Sequence, residues 1–311
     1  MGSSRTPGID PMTARRPLWH RDAGCRYDEG MSAPLRLGYV DGRHGQIHYR
    51  TQGAGPAVLL LHWAPSNGRQ YEHIQPALAA HGFRVLALDL PGFGRSHKAA
   101  EGWTCEQMAA ELAVACDALA IERGFAVGGH LSAAVVAELA ILQPQRWPKI
   151  VLDGSPTLDA LQMAALMSHF AGMSPLFDAS GSHKAFTWDM TETFLSEWDP
   201  DYRATPETIA VQYAYMADYL QMGYAAIRGY IEADAPKGGL SVYKAIERWP
   251  LIRTTVLAMT AEREALRAGH ARAVSLLPGC REHEFPGSHP IMNPARAAEY
   301  ADVVAAFLKR A

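Results

Sequence analysis

Phe125-Ala126-Val127-Gly128-Gly129-His130-Leu131-Ser132-Ala133-Ala134 is the stretch on which the reading of this chain turns. It opens with three apolar residues, passes through two glycines and runs on into an alanine-rich segment. A short buried strand, a sharp turn and the start of a helix are expected there. Glycine supplies the backbone freedom that a tight strand-to-helix reversal demands. The residue at the tip of such a turn is held clear of the sheet. Here that residue is His130, so an imidazole is displayed where the backbone is bent most sharply.

Working outward, residues 35–40 and 46–51 flank Asp41-Gly42-Arg43-His44-Gly45, which suggests a β-hairpin with a glycine-containing turn. Ala57-Val58-Leu59-Leu60-Leu61-His62 is a continuous apolar run ending in a histidine, as expected of a strand buried on both faces. A helix is expected around 70–80, a strand over 84–88 and a helix over 105–122. The helix after the turn covers 132–142, and a strand follows over 149–152. Between about 156 and 248 no strand pattern emerges, only helical segments rich in Met, Trp and Tyr. Strands resume at 254–259 and near 282–285, and an amphipathic helix over 294–309 closes the chain. Strand–helix alternation predicts a mostly parallel sheet flanked by helices. The helical block inside it reads as an insertion over one end of that sheet.

Three segments are therefore expected. Residues 1–33 form a leader and a disordered N-terminal stretch, 34–155 with 249–311 an α/β core, and 156–248 a helical cap. The chain has 311 residues, 48% hydrophobic and 20% charged, with a net charge of −3, which suits a substantial buried core. So balanced a charge offers no electrostatic attraction for nucleic acid or an anionic membrane. No apolar run is long enough to span a bilayer, and no secretion signal opens the chain, so a cytoplasmic location is expected. The four cysteines lack metal-ligand spacing and read as reduced thiols. No cofactor and no metal are expected. The oligomeric state stays open, a homodimer included.

Four patches, in this order and strand context, resemble the α/β-hydrolase superfamily with a helical cap, of the epoxide hydrolase and esterase kind. The first is the turn at Gly128 to Ser132, which resembles the family's nucleophile elbow, Gly-x-Ser-x-Gly, with His130 in place of serine. His62-Trp63-Ala64-Pro65 resembles the segment that helps form the oxyanion hole. Asp89-Leu90-Pro91-Gly92-Phe93-Gly94-Arg95-Ser96 resembles the Asp-x-x-Gly-x-Gly-x-Ser loop. Ser288-His289-Pro290 matches the Gly-His pair that carries the catalytic histidine. The resemblance implies an eight-stranded sheet with His289 as catalytic histidine. It puts Glu264, in Ala261-Glu262-Arg263-Glu264, in the position of the acid that orients that histidine. Asp153, at a strand end, is the alternative acid. Oxyanion donors are implied at the backbone N–H of Leu131 and of Trp63 or Ala64. Ser132 is rejected as the tip, because the residue two before a tip must be small and would be His130.

A neutral imidazole attacks or accepts a proton without a separate base. His130 beside His289 gives two adjacent rings that cannot comfortably both be cations, so one is expected to stay neutral and serve as a base; the carboxylate favours charge on His289, which leaves His130 as that ring. The same two rings with Glu264 have the composition of some metal sites, but Glu264 is expected to orient His289 instead. Among the large and aromatic cap residues, Met167, Phe170, Trp188, Tyr215 and Tyr219 are candidates for substrate contact, with His62 at the oxyanion loop. His62 also has a scaffold reading, as a hydrogen-bonded core histidine. The expected partner is a small apolar or aromatic molecule: an ester, lactone, thioester or carbon–carbon bond for hydrolysis. Two alternatives stay open. One is a non-hydrolytic lyase, isomerase, cyclase or cofactor-free oxygenase; the other is a catalytically silent ligand-binding protein.

Overall fold

A computed structural model of the chain describes residues 33–64, 66–98, 102–171 and 237–310, with isolated positions between 180 and 209. Eight strands form one sheet in the order β1-β2-β4-β3-β5-β6-β7-β8. They are β1 Arg36–Asp41, β2 Gln46–Gln52, β3 Ala57–Leu61, β4 Arg84–Leu88, β5 Gly124–Gly129, β6 Lys149–Asp153, β7 Thr255–Arg263 and β8 Arg281–Ser288. β1 pairs antiparallel with β2, and β2 antiparallel with β4; every other pairing is parallel. This is the α/β-hydrolase fold: a mostly parallel eight-stranded sheet flanked by helices.

Among the described residues the helices of seven residues or more are α1 Ile74–Ala80, α2 Cys105–Ala118, α3 Leu131–Leu142, α4 Ala160–Ala171, α5 Arg267–Leu276 and α6 Ala297–Lys309. Two apolar layers sandwich the sheet. One packs α2 and α3 on the side chains of Leu59, Leu61, Leu86 and Ala126. The other packs α1 and α6 on Val58, Leu60, Val85 and Val127. The alternation of Val58 with Leu59, and Leu60 with Leu61, sends successive side chains to opposite faces. Both faces of β3 are covered, which is why its sequence is a continuous apolar run.

Local chemistry sets the ends of the elements. Thr104 caps α2 through a reciprocal pair with Gln107. The helix expected at 70–80 starts as a 3-10 turn, Gly68–Tyr71, capped by the Asn67 side chain. The last helix likewise begins as a 3-10 turn at Pro294–Arg296, capped by Asn293. Strand β7 runs four residues beyond its expected end at 259, and this extension carries Glu264 to the sheet's rim. Most of the expected cap, and all of residues 1–32, lie outside the described residues. Among the described residues no helix is long and apolar enough to cross a membrane.

Candidate active site

The turn after β5 has the expected elbow geometry. His130 sits at φ 54° and ψ −117°, a conformation that L residues rarely adopt, and which costs about 1–3 kcal/mol. Its N–H donates to the carbonyls of Asp153 at 3.0 Å and Gly154 at 3.2 Å, which tie the strained tip to the end of β6. Close approach explains the flanking glycines. A Cβ on Gly128 would lie 2.4 Å from the Ser132 carbonyl oxygen, and one on Gly129 only 1.7 Å from Trp63 Nε1. Ser132 is buried and donates its hydroxyl to the His62 carbonyl, so it braces the turn.

At the tip, His130 Nε2 lies 2.7 Å from Glu264 Oε1. That oxygen also accepts the Leu266 N–H at 3.0 Å, and Oε2 accepts from the Thr260 hydroxyl at 3.4 Å. Four acceptor sites on one carboxylate are thus shared among three donors that hold it in one orientation. The Trp63 indole covers one face of the imidazole, stacked with centroids 4.0 Å apart at 11°. The expected pairing of Glu264 with His289 is corrected here. An imidazole reaches farther from the backbone than a serine hydroxymethyl, so the tip ring itself spans to the acid. Gly154 leaves the space: a Cβ there would lie 2.6 Å from His130 Cδ2 and 3.0 Å from Glu264 Oε1.

His289 turns to the alternative acid. Its Nε2 lies 2.9 Å from Asp153 Oδ1, and its Nδ1 accepts the Ile291 N–H at 3.2 Å. Because Nδ1 accepts, the ring proton is on Nε2 and is donated to Asp153. The second oxygen of Asp153 accepts from the Tyr300 hydroxyl at 3.0 Å. His289 and Asp153 are 1% and 0% exposed, whereas the His130 side chain keeps 12% of its surface open. Burial, with the Asp153 carboxylate beside it, pushes the Tyr300 phenol well above its ordinary range. Both nitrogens of His289 are therefore engaged within the protein. Trp63 also meets this ring in a T-shaped contact, with centroids 5.1 Å apart at 66°.

The three backbone N–H groups expected as oxyanion donors differ in what they meet. The Trp63 N–H, expected as one of them, donates to Gln70 Oε1 at 2.8 Å, and its single hydrogen is committed there. Among the described residues no acceptor meets the N–H of Ala64 or Leu131. His62 is wholly buried; its Nε2 accepts the Leu90 N–H at 3.0 Å and its Nδ1–H donates to the Trp63 carbonyl at 2.7 Å. Burial lowers its pKa, favouring the neutral ring. Of the two readings open for His62, these bonds and its burial fit the hydrogen-bonded scaffold histidine and not the substrate contact. Met167 and Phe170 fall on α4, whose backbone is described but whose side chains at those positions are not. Trp188 is an isolated, partly buried position, and Tyr215 and Tyr219 lie outside the described residues. Tyr300 was missed by sequence reasoning. On α6 it occupies an apolar-face position, and only the fold puts its hydroxyl beside Asp153.

Residues 56–249 match the family model described as the alpha/beta hydrolase fold. Among curated proteins, the chain is 33% identical over 112 residues to bifunctional epoxide hydrolase 2 of Mus musculus, a match covering 35% of this chain and 20% of that protein. It is 37% identical over 135 residues to the 2-hydroxy-6-oxo-6-phenylhexa-2,4-dienoate hydrolase of Comamonas testosteroni, covering 41% of this chain and 43% of that one. In both cases the match spans less than half of the relative's length. Among solved structures, the enol-lactonase of Burkholderia xenovorans superposes with a TM-score of 0.68 at 19% identity, over 88% of this chain and 100% of that one. The bromoperoxidase of Bacillus anthracis gives 0.71 at 19% identity, over 88% and 100%.

Proposed function

The chain belongs to the α/β-hydrolase fold family, and from that premise we propose that it is an enzyme hydrolysing a small apolar or aromatic ester, lactone, thioester or carbon–carbon bond. In this reading His130 acts as general base on water and Glu264 orients it. The observation that carries the reading is the 2.7 Å contact of His130 Nε2 with Glu264 Oε1 at the tip of the elbow. With Nε2–H donated to the carboxylate, the lone pair of the neutral ring is at Nδ1. Water loses a proton to Nδ1 as its oxygen bonds to the substrate carbonyl carbon. The resulting oxyanion accepts hydrogen bonds from the Leu131 and Ala64 N–H groups, each donor of this kind contributing about 2.7–4 kcal/mol. Collapse of the intermediate breaks the bond to the leaving group, which takes the proton back from His130. No covalent acyl-enzyme is required. The relatives support a small-molecule substrate: their names span epoxides, an enol-lactone and a phenyl-substituted dienoate.

A panel of aryl esters and enol-lactones, turned over in ¹⁸O-labelled water, tests this. Hydrolysis puts one labelled oxygen into the acid product. His130→Ala and Glu264→Gln lower kcat, the former by about 10²–10⁴-fold, the range of a lost general base. Unaltered turnover in His130→Ala overturns the reading. The absence of a hydroxyl at the tip favours one second reading, in which the same dyad abstracts a proton from substrate in a lyase or isomerase reaction. An unlabelled product, with turnover still dependent on His130, selects that reading.

A further inference from the structure

His289 stands at the chain position where the family's catalytic histidine is expected, yet it is the more buried of the two imidazoles. We infer that His289 is a positioning residue: with Asp153 and Tyr300 it pins Trp63 and the elbow backbone, leaving His130 as the histidine that handles protons. The inference rests on the reading of His130–Glu264 as the reacting pair.

Three observations carry it. First, both nitrogens are in use. Nδ1 accepts the Ile291 N–H at the start of the 3-10 turn Pro290–Met292, and Nε2–H is donated to Asp153. A base needs a lone pair facing its substrate, and this ring turns its lone pair onto its own backbone. Second, Asp153 works at two points of the elbow at once. Its carbonyl accepts the His130 N–H, while its carboxylate is held on one oxygen by His289 and on the other by Tyr300. The side-chain bonds therefore set where the strained tip is anchored. Third, the His289 ring meets Trp63 at a steep angle, with centroids 5.1 Å apart, while Trp63 stacks on His130; His289 also lies against Phe285 at 5.4 Å and Tyr300 at 5.9 Å between centroids. The two histidines thus have separate carboxylates, and only the His130 pair reaches solvent.

Two measurements test this. Long-range ¹H–¹⁵N spectra of the intact protein at pH 7.5 report each imidazole tautomer without any substrate. His289 is expected as the Nε2–H form, and the Nδ1–H form overturns the inference. The second measurement compares His289→Gln with His289→Ala. The glutamine amide can donate to Asp153 and accept from Ile291, so His289→Gln is expected to keep kcat within about tenfold of the parent, with the pH–rate profile unchanged in shape. His289→Ala is expected to lower kcat further with KM held, because Trp63 and the elbow shift. A loss of about 10²-fold or more in His289→Gln, at unchanged Tm, is what removal of a general base produces and overturns the inference. Should the parent turn over no substrate, the hydrolytic reading fails but the tautomer still decides the role of His289.

Discussion

His130 has backbone angles close to those of the first central residue of a type II′ turn, where glycine is the usual occupant. An imidazole holds them only because its N–H bonds to β6 and its ring is clamped between Trp63 and Glu264. Side-chain chemistry and backbone strain can therefore be separated by mutation. His130→Ala removes the clamp and keeps a Cβ at positive φ; His130→Gly removes both. The glycine variant is expected to be more stable than the alanine variant by about 1–3 kcal/mol, read as a shift in the denaturation midpoint. Equal midpoints would mean that the tip carries no strain. The expected order runs against the general rule that glycine destabilises, so the comparison is diagnostic.

The loop after β4 shows how an element's connection can shape a site without touching substrate. Asp89 is buried, and its carboxylate accepts the N–H groups of Gly68 at 2.7 Å and Arg95 at 2.8 Å, with His48 Nδ1 at 3.0 Å. Burial pushes this carboxyl up, but the hydrogen bonds from His48 and the two amides outweigh it and hold it below its ordinary range. Ser96 closes the loop by donating to the Asp89 carbonyl at 2.6 Å. The neighbouring Leu90 N–H fixes His62, whose own carbonyl and ring brace Ser132 and Trp63. Asp89→Ala leaves a buried imidazole and two amides without their acceptor. It is expected to cost about 3–5 kcal/mol in urea denaturation and to displace Trp63 from His130. A loss below about 1 kcal/mol would show that water replaces the carboxylate there.

At the scale of the whole molecule, buried titratable groups give the fold a distinct acid response. Burial lowers the pKa of His62, and of His270 on α5, below the ordinary 6.5. The unfolded chain then binds protons that the folded one refuses, so stability is full above about pH 6.5 and declines as pH falls below it. Asp89 and Glu111 behave differently: their folded pKa values lie below 3.8 and 4.5 despite burial, so their contribution persists to about pH 4.5 and is lost below. Tm is therefore expected to fall in two stages on acidification. His270→Gln is expected to flatten the first stage; an unchanged slope there would assign it to other histidines. Much of this molecule is legible in the chain itself. Continuous apolar runs specify the buried strands, and the glycines at 128 and 129 specify a turn that presents His130. Both depend on periodicity and local sterics, which act over a few residues. Which carboxylate meets which imidazole is a different kind of fact. Glu264, Asp153, His289 and His130 come from four separate elements. Their pairing depends on the reach of a ring from one strained backbone and on the gap left by Gly154. It also depends on an α6 tyrosine that carries no signal in its neighbours. Those are distances between segments far apart in the chain, and only packing around the sheet sets them.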